Sequence, residues 1–424
     1  MALFVERIDR YAVELPFREA VAPHMQKELP HWRYLEVLRV ELSSGHVGVG
    51  ECMPFYTWGR TTSEDIEEAM DQNAMSLLWD DSLGAGLEMA LMDAVGRALE
   101  VPIYELLGGK IHDRVPVSWW CIDMPAAALL AEAQLARERG YTSLKFKGRP
   151  WYDIGEQVTT LGEGLPAGFD LTIDFNETLL DAERAIPILD DLAIHDVVAS
   201  FEGPIPQEDV SGNSEITERY DESIALHYGR PPFATVLREQ ICDGFVAAGG
   251  VSKLSTVNAA AATGSYPFWL QLVGSDLTLA YLLHCGAAFE QATWSGVTCC
   301  EVFDAQVLTD PIPVEEGYAS VPDRPGHGYD IDMDVIAEYE VDVRDKRHNP
   351  PRLIECTVPD GPTTYLAEQP EEVNFIIAAA MDEQLPFYPR GATARLVPED
   401  GSETWWEMHE RAREGPVVVD EPVC

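Results

Sequence analysis

Residues 141–148 read YTSLKFKG, a short strand-like run in which apolar and charged side chains alternate before a glycine. Similar β-rich runs begin near Val115, Tyr141, Phe169, Asp196, Ser223, Asp243, Pro267 and Ala292. Helix-like segments such as residues 126–139 lie between them, and the starts are roughly 20 to 28 residues apart, about the length of one βα unit. Eight such units close a barrel, so the rhythm predicts an α/β fold built on a TIM-like barrel.

Other parts of the sequence bear on this interpretation. A doubly wound open sheet has a similar rhythm, but no GxGxxG motif follows a first strand, so dinucleotide binding has no support. Residues 34–42 alternate apolar and polar side chains before a turn, which predicts antiparallel strands ahead of the barrel. Residues 86–99 carry apolar side chains at helical spacing. The residues after about 345 are rich in Pro, Glu and Asp, and we expect an acidic extension there.

The charge balance excludes one class of partner. The chain has 424 residues, with 73 acidic and 29 basic side chains and a net charge of -44. Such a surface repels phosphate backbones, so we expect no nucleic-acid partner. Only six of the basic residues are lysines. Spread-out acidity with few lysines indicates adaptation to a high-salt, halophilic interior, and an acidic surface that recruits a basic partner is the alternative.

The cysteines and the apolar segments indicate a cytoplasmic protein. The eight cysteines form no CxxC pair and mostly lie among apolar residues, so we expect reduced core cysteines instead of disulfides or a zinc site. The sequence has neither a signal-peptide pattern nor a run of 18 apolar residues, so we expect no membrane association.

Two lysines at the end of the second predicted strand are the first candidates for chemistry. In Ser143-Leu-Lys-Phe-Lys-Gly148, period-two alternation places Lys145 and Lys147 on one face, pointing into the barrel. The alternative is an edge strand with solubilising charges, but long helical segments flank this strand. Two neighbouring ammonium groups depress each other's pKa, so one of them is a candidate general base.

Acidic residues end the next two strands. Asp174 and Asn176 share a face after the third strand, and Glu202 follows the fourth. Single acids in such places are often helix caps, but two on consecutive strands beside a lysine pair predict hard oxygen ligands for Mg²⁺. On the fifth strand, Asp221 and Glu222 precede the apolar run, whereas His227 ends it and is the better third ligand by position. The alternative is a histidine that caps the strand or contacts the substrate.

The end of the seventh strand and the loops before the barrel complete the set. Gln271 ends the seventh strand, either to orient a substrate oxygen or as a polar residue of the barrel rim. We expect the loops at residues 21–33 and 54–60 to close the mouth and select the substrate, with His24, Trp58 and Arg60 as candidate contacts.

In this order and spacing, several motifs together resemble the enolase superfamily, in its mandelate racemase and muconate lactonizing enzyme branch. The resemblance runs from the N-terminus to about residue 340. Its motifs are GHVGVGECMP (45–54), ALMDAVGRALEVPIYELLGGK (90–110), LKFKG (144–148), TIDFNE (172–177), FEGP (201–204), DGFVAAGGVSK (243–253) and VPDRPGHGYDID (321–332).

The resemblance implies a domain plan. It consists of an α+β capping domain over residues 1–112, a (β/α)₇β barrel over residues 113–325, and a segment over residues 326–424 that returns to the cap and continues as the acidic extension. Family members often assemble, so we expect a homo-oligomer.

The resemblance also implies residue roles. Lys147 matches the family's base and Lys145 its partner, while Asp174 and Glu202 match the first two Mg²⁺ ligands. The usual spacing to the third ligand reaches His227, 25 residues beyond Glu202. This histidine departs from the common acid, although some acid-sugar dehydratases of the family use a non-acid there.

Two further departures bear on the reaction. The lysine expected before Gly249-Gly250 is missing, and Gln271 stands where mandelate-type racemases place a histidine. The implied reaction is removal of the proton next to the carboxylate of a small acid, through an enediolate intermediate. With one base supplied, we expect an acid-sugar dehydratase. The alternatives are a cycloisomerase or an enzyme like o-succinylbenzoate synthase, a racemase or epimerase, and a non-catalytic metal-binding relative.

Overall fold

The N-terminal part of the chain is an antiparallel sheet covered by helices. The structure is a computed structural model and describes residues 3–56, 58–369 and 372–420. The first elements are β1 (Val5–Glu14), α1 (Ala22–Glu28), β2 (Tyr34–Leu42), β3 (Val47–Cys52), α2 (Ser63–Ala69), α3 (Ala85–Leu99) and α4 (Ile103–Leu106). A Cβ on Gly48 or Gly50 would lie 2.1 or 2.3 Å from the backbone of α3, so only glycine lets β3 pack this closely on the helix.

The middle of the chain forms a parallel barrel. After a short strand, β4 (Arg114–Pro116), seven strands alternate with seven helices: β5 (Trp119–Cys121), α5 (Ala126–Glu138), β6 (Ser143–Lys147), α6 (Ile154–Gly164), β7 (Asp170–Asp174), α7 (Ala182–Ala193), β8 (Val198–Glu202), α8 (Val210–Arg219), β9 (Ser223–His227), α9 (Phe233–Glu239), β10 (Gly244–Ala247), α10 (Val251–Gly264), β11 (Phe268–Leu270) and α11 (Asp276–Ala288). The seven strands pair in chain order.

The segment at Gly296-Val297 takes the eighth place in the ring. Gly296 makes a parallel bridge with Val117, next to the first barrel strand, and Val297 makes one with Gln271, directly after the last. The predicted fold class, a (β/α)₇β TIM-like barrel with an α+β capping domain, is confirmed. One boundary differs from the sequence prediction, because the run near Val115 is β4, which pairs outside the barrel, and β5 follows it.

After the barrel the chain returns to the N-terminal sheet. The elements here are β12 (Val314–Glu315), β13 (Tyr318–Ser320), α12 (Met333–Glu338) and β14 (Glu340–Val341). β12 and β13 form a small sheet with β4, and β14 pairs antiparallel with β1.

The residues after 352 form a compact unit that we call the C-terminal domain (residues 353–419). Its elements are β15 (Leu353–Thr357), β16 (Thr363–Ala367), α13 (Phe375–Met381), β17 (Thr393–Val397), α14 (Glu403–Glu414) and β18 (Val417–Val419). The four strands form an antiparallel sheet in the order β17-β15-β16-β18. Alternate strand residues pack on opposite faces, Leu353 with Trp405 of α14 and Ile354 with Phe375 of α13. Where the sequence indicated only an acidic extension, the structure therefore has a folded sheet with helices on both faces.

The described cysteines are all free, and six of the seven are buried, as expected for core residues. Cys424 lies outside the described residues. Within residues 3–56, 58–369 and 372–420, no helix is both long enough and apolar enough to cross a membrane.

Candidate active site

Four charged side chains meet at the carboxyl ends of three neighbouring barrel strands. β6, β7 and β8 are in register, so that Lys147, Asp174 and Glu202 lie level with one another. Lys147 Nζ lies 2.5 Å from Asp174 Oδ2. Lys145 Nζ forms an ion pair with Glu202 Oε2 and lies 3.6 Å from Asp174 Oδ2. The sequence thus brings two ammonium and two carboxylate groups to one mouth.

The alternation of β6 explains how the lysines enter the barrel. Leu144 and Phe146 are fully buried in the apolar core, and Lys145 and Lys147 lie on the opposite face with 2% and 7% of their surface exposed. The sequence interpretation pictured the two ammonium groups beside each other. In the structure each ammonium also has a carboxylate partner, which offsets much of the repulsion between them.

Asp174 is held in its charged form by its neighbours. Burial alone would raise its pKa, but the charges of Lys147, Lys145 and Arg149 outweigh burial and hold the pKa below the ordinary value. Asn176 follows with a left-handed φ of 46°. The backbone N–H of Asn176 donates to Asp174 Oδ1 (2.9 Å), and its side-chain Oδ1 accepts from Lys147 Nζ (3.0 Å). Asn176 therefore orients both the lysine and the carboxylate.

His227 ends β9 beside Glu202. Its Nε2 lies 3.3 Å from Glu202 Oε1, and its side chain is 45% exposed. Its backbone N–H donates to Gln207 Oε1 at 2.6 Å, which fixes the strand end. Asp221 and Glu222 precede β9, at the opposite end of the strand from the four charged groups. Among the described residues, no three His, Cys, Asp or Glu side chains are already arranged as a metal centre.

Gln271 also contacts Lys145. Its Oε1 accepts a hydrogen bond from Lys145 Nζ at 2.5 Å, and the same ammonium lies 5.1 Å from the centre of the Trp269 ring. Gln271 and the aromatic face thus hold Lys145 in place without adding a second base.

The three candidates in the capping loops differ in where they point. His24 lies on α1, near the Lys27–Asp123 ion pair, and burial followed by the charge of Lys27 lowers its pKa to about 4. Trp58 packs against the main apolar core. Arg60 donates to Glu36 Oε1 (2.7 Å) and to the carbonyl of Arg344 (2.6 Å). These contacts lie within the capping sheet, so they argue against a substrate role for Arg60.

Tyr56, in the same loop as Trp58 and Arg60, is a further candidate near the site. Its ring centre lies 4.4 Å from that of Trp32, and the residue is 37% exposed. The charges of Asp174, Lys145 and Glu202 act on its hydroxyl. The sequence analysis named this loop but not this residue, because the sequence alone does not show which of several aromatic side chains in a loop lies nearest to the site.

Two protein-family models match parts of this chain, in agreement with the geometry of the site. The family described as mandelate racemase / muconate lactonizing enzyme, N-terminal domain, matches residues 60–108, and the family described as enolase C-terminal domain-like matches residues 128–335. The chain belongs to the enolase superfamily, in its mandelate racemase/muconate lactonizing enzyme branch. The resemblance seen in the sequence is thereby confirmed.

The individual relatives are distant in sequence, but the matches cover most of their length. Arabinonate dehydratase from Saccharolobus solfataricus is 23% identical over 71% of this chain and 89% of its own. Muconate cycloisomerase 1 from Pseudomonas putida is 26% identical over 80% of this chain and 99% of its own. The crystal structure of a muconate cycloisomerase from Azorhizobium caulinodans superposes with a TM-score of 0.63 at 23% identity, covering 80% of this chain and 99% of that one.

These relatives place the chain among lyases and isomerases, and Mg²⁺ dependence is general to the superfamily. The chain is therefore an enzyme of this superfamily. Its C-terminal domain begins 18 residues after residue 335, the last residue of the family match.

A second group of charged residues lies next to the mouth and was missed from the sequence. We call it the sealed cluster: Lys27, Glu28, Asp123 and Arg149. Lys27 Nζ lies 2.5 Å from Asp123 Oδ2 and 3.3 Å from Glu28 Oε1. Arg149 is 2% exposed, and its Nη2 donates to Asn176 Oδ1 at 2.7 Å. Arg149 continues the alternation of Lys145 and Lys147, and that signal was available in the sequence.

Proposed function

We propose that this enzyme is an acid-sugar dehydratase that removes the proton next to a carboxylate with Lys147 as its base. One observation carries the proposal: Lys147 and Lys145 lie at the mouth of the barrel against Asp174 and Glu202, and the residue that follows the seventh strand and bonds Lys145 is Gln271, an amide instead of a base. The substrate class that fits is a small carboxylic acid, because the site offers cationic groups inside a strongly acidic protein.

The two carboxylates suit a hard divalent cation. Asp174 and Glu202 are each 1% exposed, and Glu202 Oε1 lies 3.3 Å from His227 Nε2. Neighbouring buried carboxylates beside an imidazole suit Mg²⁺, and we propose Asp174, Glu202 and His227 as the residues that would hold it. When bound, Mg²⁺ would supply Lewis-acid stabilisation of negative charge on the substrate carboxylate.

Lys145 also borders a cavity of about 190 Å³ whose lining includes Ser143, Thr172 and Ser200. Its ammonium is held by Gln271 and would stabilise the negative charge that develops on the substrate.

The elimination step is simple to balance. In its neutral amine form Lys147 takes the proton from the carbon next to the carboxylate, the electron pair forms a carbon–carbon double bond, and hydroxide leaves from the neighbouring carbon and takes up a solvent proton to become water. The resulting enol becomes a 2-keto acid. Asn176 keeps Lys147 aimed, because its Oδ1 accepts from both Lys147 and Arg149.

A cycloisomerase is the second candidate, and the specific support for it is the muconate cycloisomerase 1 relative, which matches 80% of this chain. A racemase is disfavoured because it needs a base on each face of the carbon. β10 ends in Ala247, and Lys253, the next lysine, is exposed on α10. Gln271, at the end of the seventh strand, cannot act as a base near neutral pH.

A substrate screen tests the proposal. The enzyme with Mg²⁺ is incubated in D₂O with a panel of aldonic and aldaric acids and with cis,cis-muconate and a succinylbenzoate precursor. We expect a 2-keto acid from at least one sugar acid, with deuterium at the carbon next to the new keto group, where the enol takes up a hydron from solvent. Turnover of muconate or of the succinylbenzoate precursor alone would show that the cycloisomerase alternative is correct.

A further inference from the structure

Tyr388, in the C-terminal domain, bonds to both loops that leave the active-site strands. Its hydroxyl donates to the carbonyl of Gly148, the residue after Lys147, at 3.2 Å. The same hydroxyl lies 2.6 Å from Thr178 Oγ1, in the loop after Asp174. Its ring packs against Phe175 with 6.1 Å between ring centres. One side chain from outside the barrel therefore ties together the segments that follow the proposed base and the first proposed metal ligand.

The loop between β6 and α6 is also part of the core of the C-terminal domain. Trp151 and Tyr152 are each 2% exposed and belong to the apolar cluster that includes Ile354 and Phe375. The Tyr152 hydroxyl donates to the carbonyl of Ala394 at 2.9 Å. Because the loop contributes to that core, it cannot move away from the domain without exposing apolar surface.

The C-terminal end of the loop and the capping helix are attached in the same way. Asp153 Oδ2 accepts from the backbone N–H of Gly391 at 2.7 Å. Arg352, directly before the domain, donates through Nη1 to the carbonyls of Lys27 (2.9 Å) and Glu28 (3.1 Å) at the end of α1. The domain therefore touches both the barrel mouth and the helix of the capping domain that overlies it.

We propose that the C-terminal domain braces the active site from outside the barrel, and that Tyr388 is a positioning residue that holds the Gly148 and Thr178 loops and through them Lys147 and Asp174. The domain lies entirely after residue 335, where the family match ends, so it is an addition built onto the mouth of the barrel. The part of this inference that concerns catalysis rests on the proposed function, and the part that concerns the loops does not.

The test compares Tyr388→Phe with Tyr365→Phe as a matched control. Tyr365 also lies in the C-terminal domain and is buried, but its hydroxyl donates within the domain, to Glu355 Oε2 at 2.7 Å. Both variants lose one buried hydroxyl. Hydrogen–deuterium exchange, followed by mass spectrometry on the full-length protein, reports the local opening of residues 148–153 and 175–181.

We expect Tyr388→Phe to speed exchange in those two segments about fivefold, the effect of losing one typical buried hydrogen bond on a local opening equilibrium. Tyr365→Phe should leave them unchanged. On a substrate identified by the screen, Tyr388→Phe should lower kcat about tenfold with KM nearly constant, because small displacements of a base act on the chemical step.

A second pair of variants approaches the contact from the barrel side. Thr178→Ala should reproduce both effects, and Thr178→Ser, which keeps the hydroxyl, should restore the wild-type values. If Tyr388→Phe and Tyr365→Phe give the same exchange in both segments, or if exchange rises while kcat does not fall, the positioning role is wrong. Because exchange needs no substrate, it decides the loop contact even if no sugar acid is turned over, a result that would count against the proposed function alone.

Discussion

Two buried clusters of basic and carboxylate groups lie next to each other in this molecule, and they differ in what adjoins them. The mouth cluster consists of Lys145, Lys147, Asp174 and Glu202, and the sealed cluster of Lys27, Glu28, Asp123 and Arg149. At the mouth, Glu202 Oε1 lies 3.3 Å from His227 Nε2, and the side chain of His227 is 45% exposed. In the sealed cluster, Asp123 Oδ2 accepts from Lys27 (2.5 Å) and from the buried Trp151 (2.6 Å).

The sealed cluster has a settled charge arrangement. Burial alone would lower the pKa of Lys27, but the charge of Asp123 raises it above its ordinary value. Burial would raise the pKa of Asp123, but Lys27 holds it below its ordinary value. Burial, and then the charge of Asp123, raise the pKa of Glu28, which favours its neutral form. Similar residue types thus make a structural ion pair in one place and a site open to a ligand in the other.

The largest expected effect separates the lysines by role. Lys147→Ala should lower turnover and α-proton exchange by about 10³- to 10⁴-fold, because it removes the only general base proposed for the reaction. Lys253→Ala is the control, since Lys253 is exposed on α10. The measurement is kcat and deuterium incorporation in D₂O. Exchange at the wild-type rate in Lys147→Ala would mean that another group is the base.

The sealed cluster should instead respond in stability. Lys27→Met leaves Asp123 charged and buried without its partner, which typically costs about 3–5 kcal/mol of unfolding free energy. The double variant Lys27→Met/Asp123→Leu removes both charges and should recover part of that loss, although Trp151 Nε1 then lacks its acceptor. Urea denaturation measures the free energy of unfolding of the wild type and of both variants. A single variant as stable as the wild type would show that the ion pair contributes nothing.

The stabilisation of the protein by Mg²⁺ should distinguish Asp174 of the mouth cluster from Asp123 of the sealed cluster. At Mg²⁺ near 100 times its dissociation constant, binding should stabilise the wild type by about 2.7 kcal/mol and raise its Tm. Asp174→Ala should lose this rise, whereas Asp123→Ala should keep it on a lower baseline. Thermal melts with and without Mg²⁺ provide the comparison. A rise that persists in Asp174→Ala would place the metal elsewhere.

The acid limb of stability should also depend on the sealed cluster. Since the pKa of Asp123 is lower in the folded protein, the unfolded chain binds more protons in acid, and stability is lost as pH falls below about 4. Lys27 stays charged across this range. Because the pKa of Glu28 is raised in the folded protein, Glu28 lowers the free energy of unfolding as pH rises above about 4.5, which is the opposite dependence. As pH is lowered from 5 to 3, the free energy of unfolding measured by urea denaturation should therefore fall less steeply in Lys27→Met/Asp123→Leu than in the wild type.

The sequence predicted the local features and missed the long-range ones. Alternation along β6 and the acids after β7 and β8 gave the mouth cluster, because both signals lie within a few residues of the chain. The sealed cluster joins Lys27 to Asp123 across 96 residues, and no short pattern encodes that pairing. The C-terminal domain was missed for a related reason: its strands pair over only three to five residues, and its core includes Trp151 and Tyr152 from the loop after β6.

Salt should produce the smallest change in the sealed cluster and so provide the finest test of the comparison. With a net charge of -44, the wild type should gain stability as KCl is raised, because about 1 M salt shortens the Debye length to about 3 Å and screens surface repulsion. Lys27 and Asp123 are 1% and 0% exposed, so the cost of Lys27→Met should stay constant within about 0.5 kcal/mol.

The surface ion pair of Arg219 with Asp190 (2.7 Å) is the matched contrast, and the cost of Arg219→Gln should shrink as salt rises. Urea denaturation of the three proteins at low and high KCl measures both costs. If the cost of Lys27→Met also falls with salt, ions reach the cluster and it is not sealed. An ion that can enter the sealed cluster could also bind there. The two clusters would then differ in the residues that their charged groups contact, and not in whether ions can reach them.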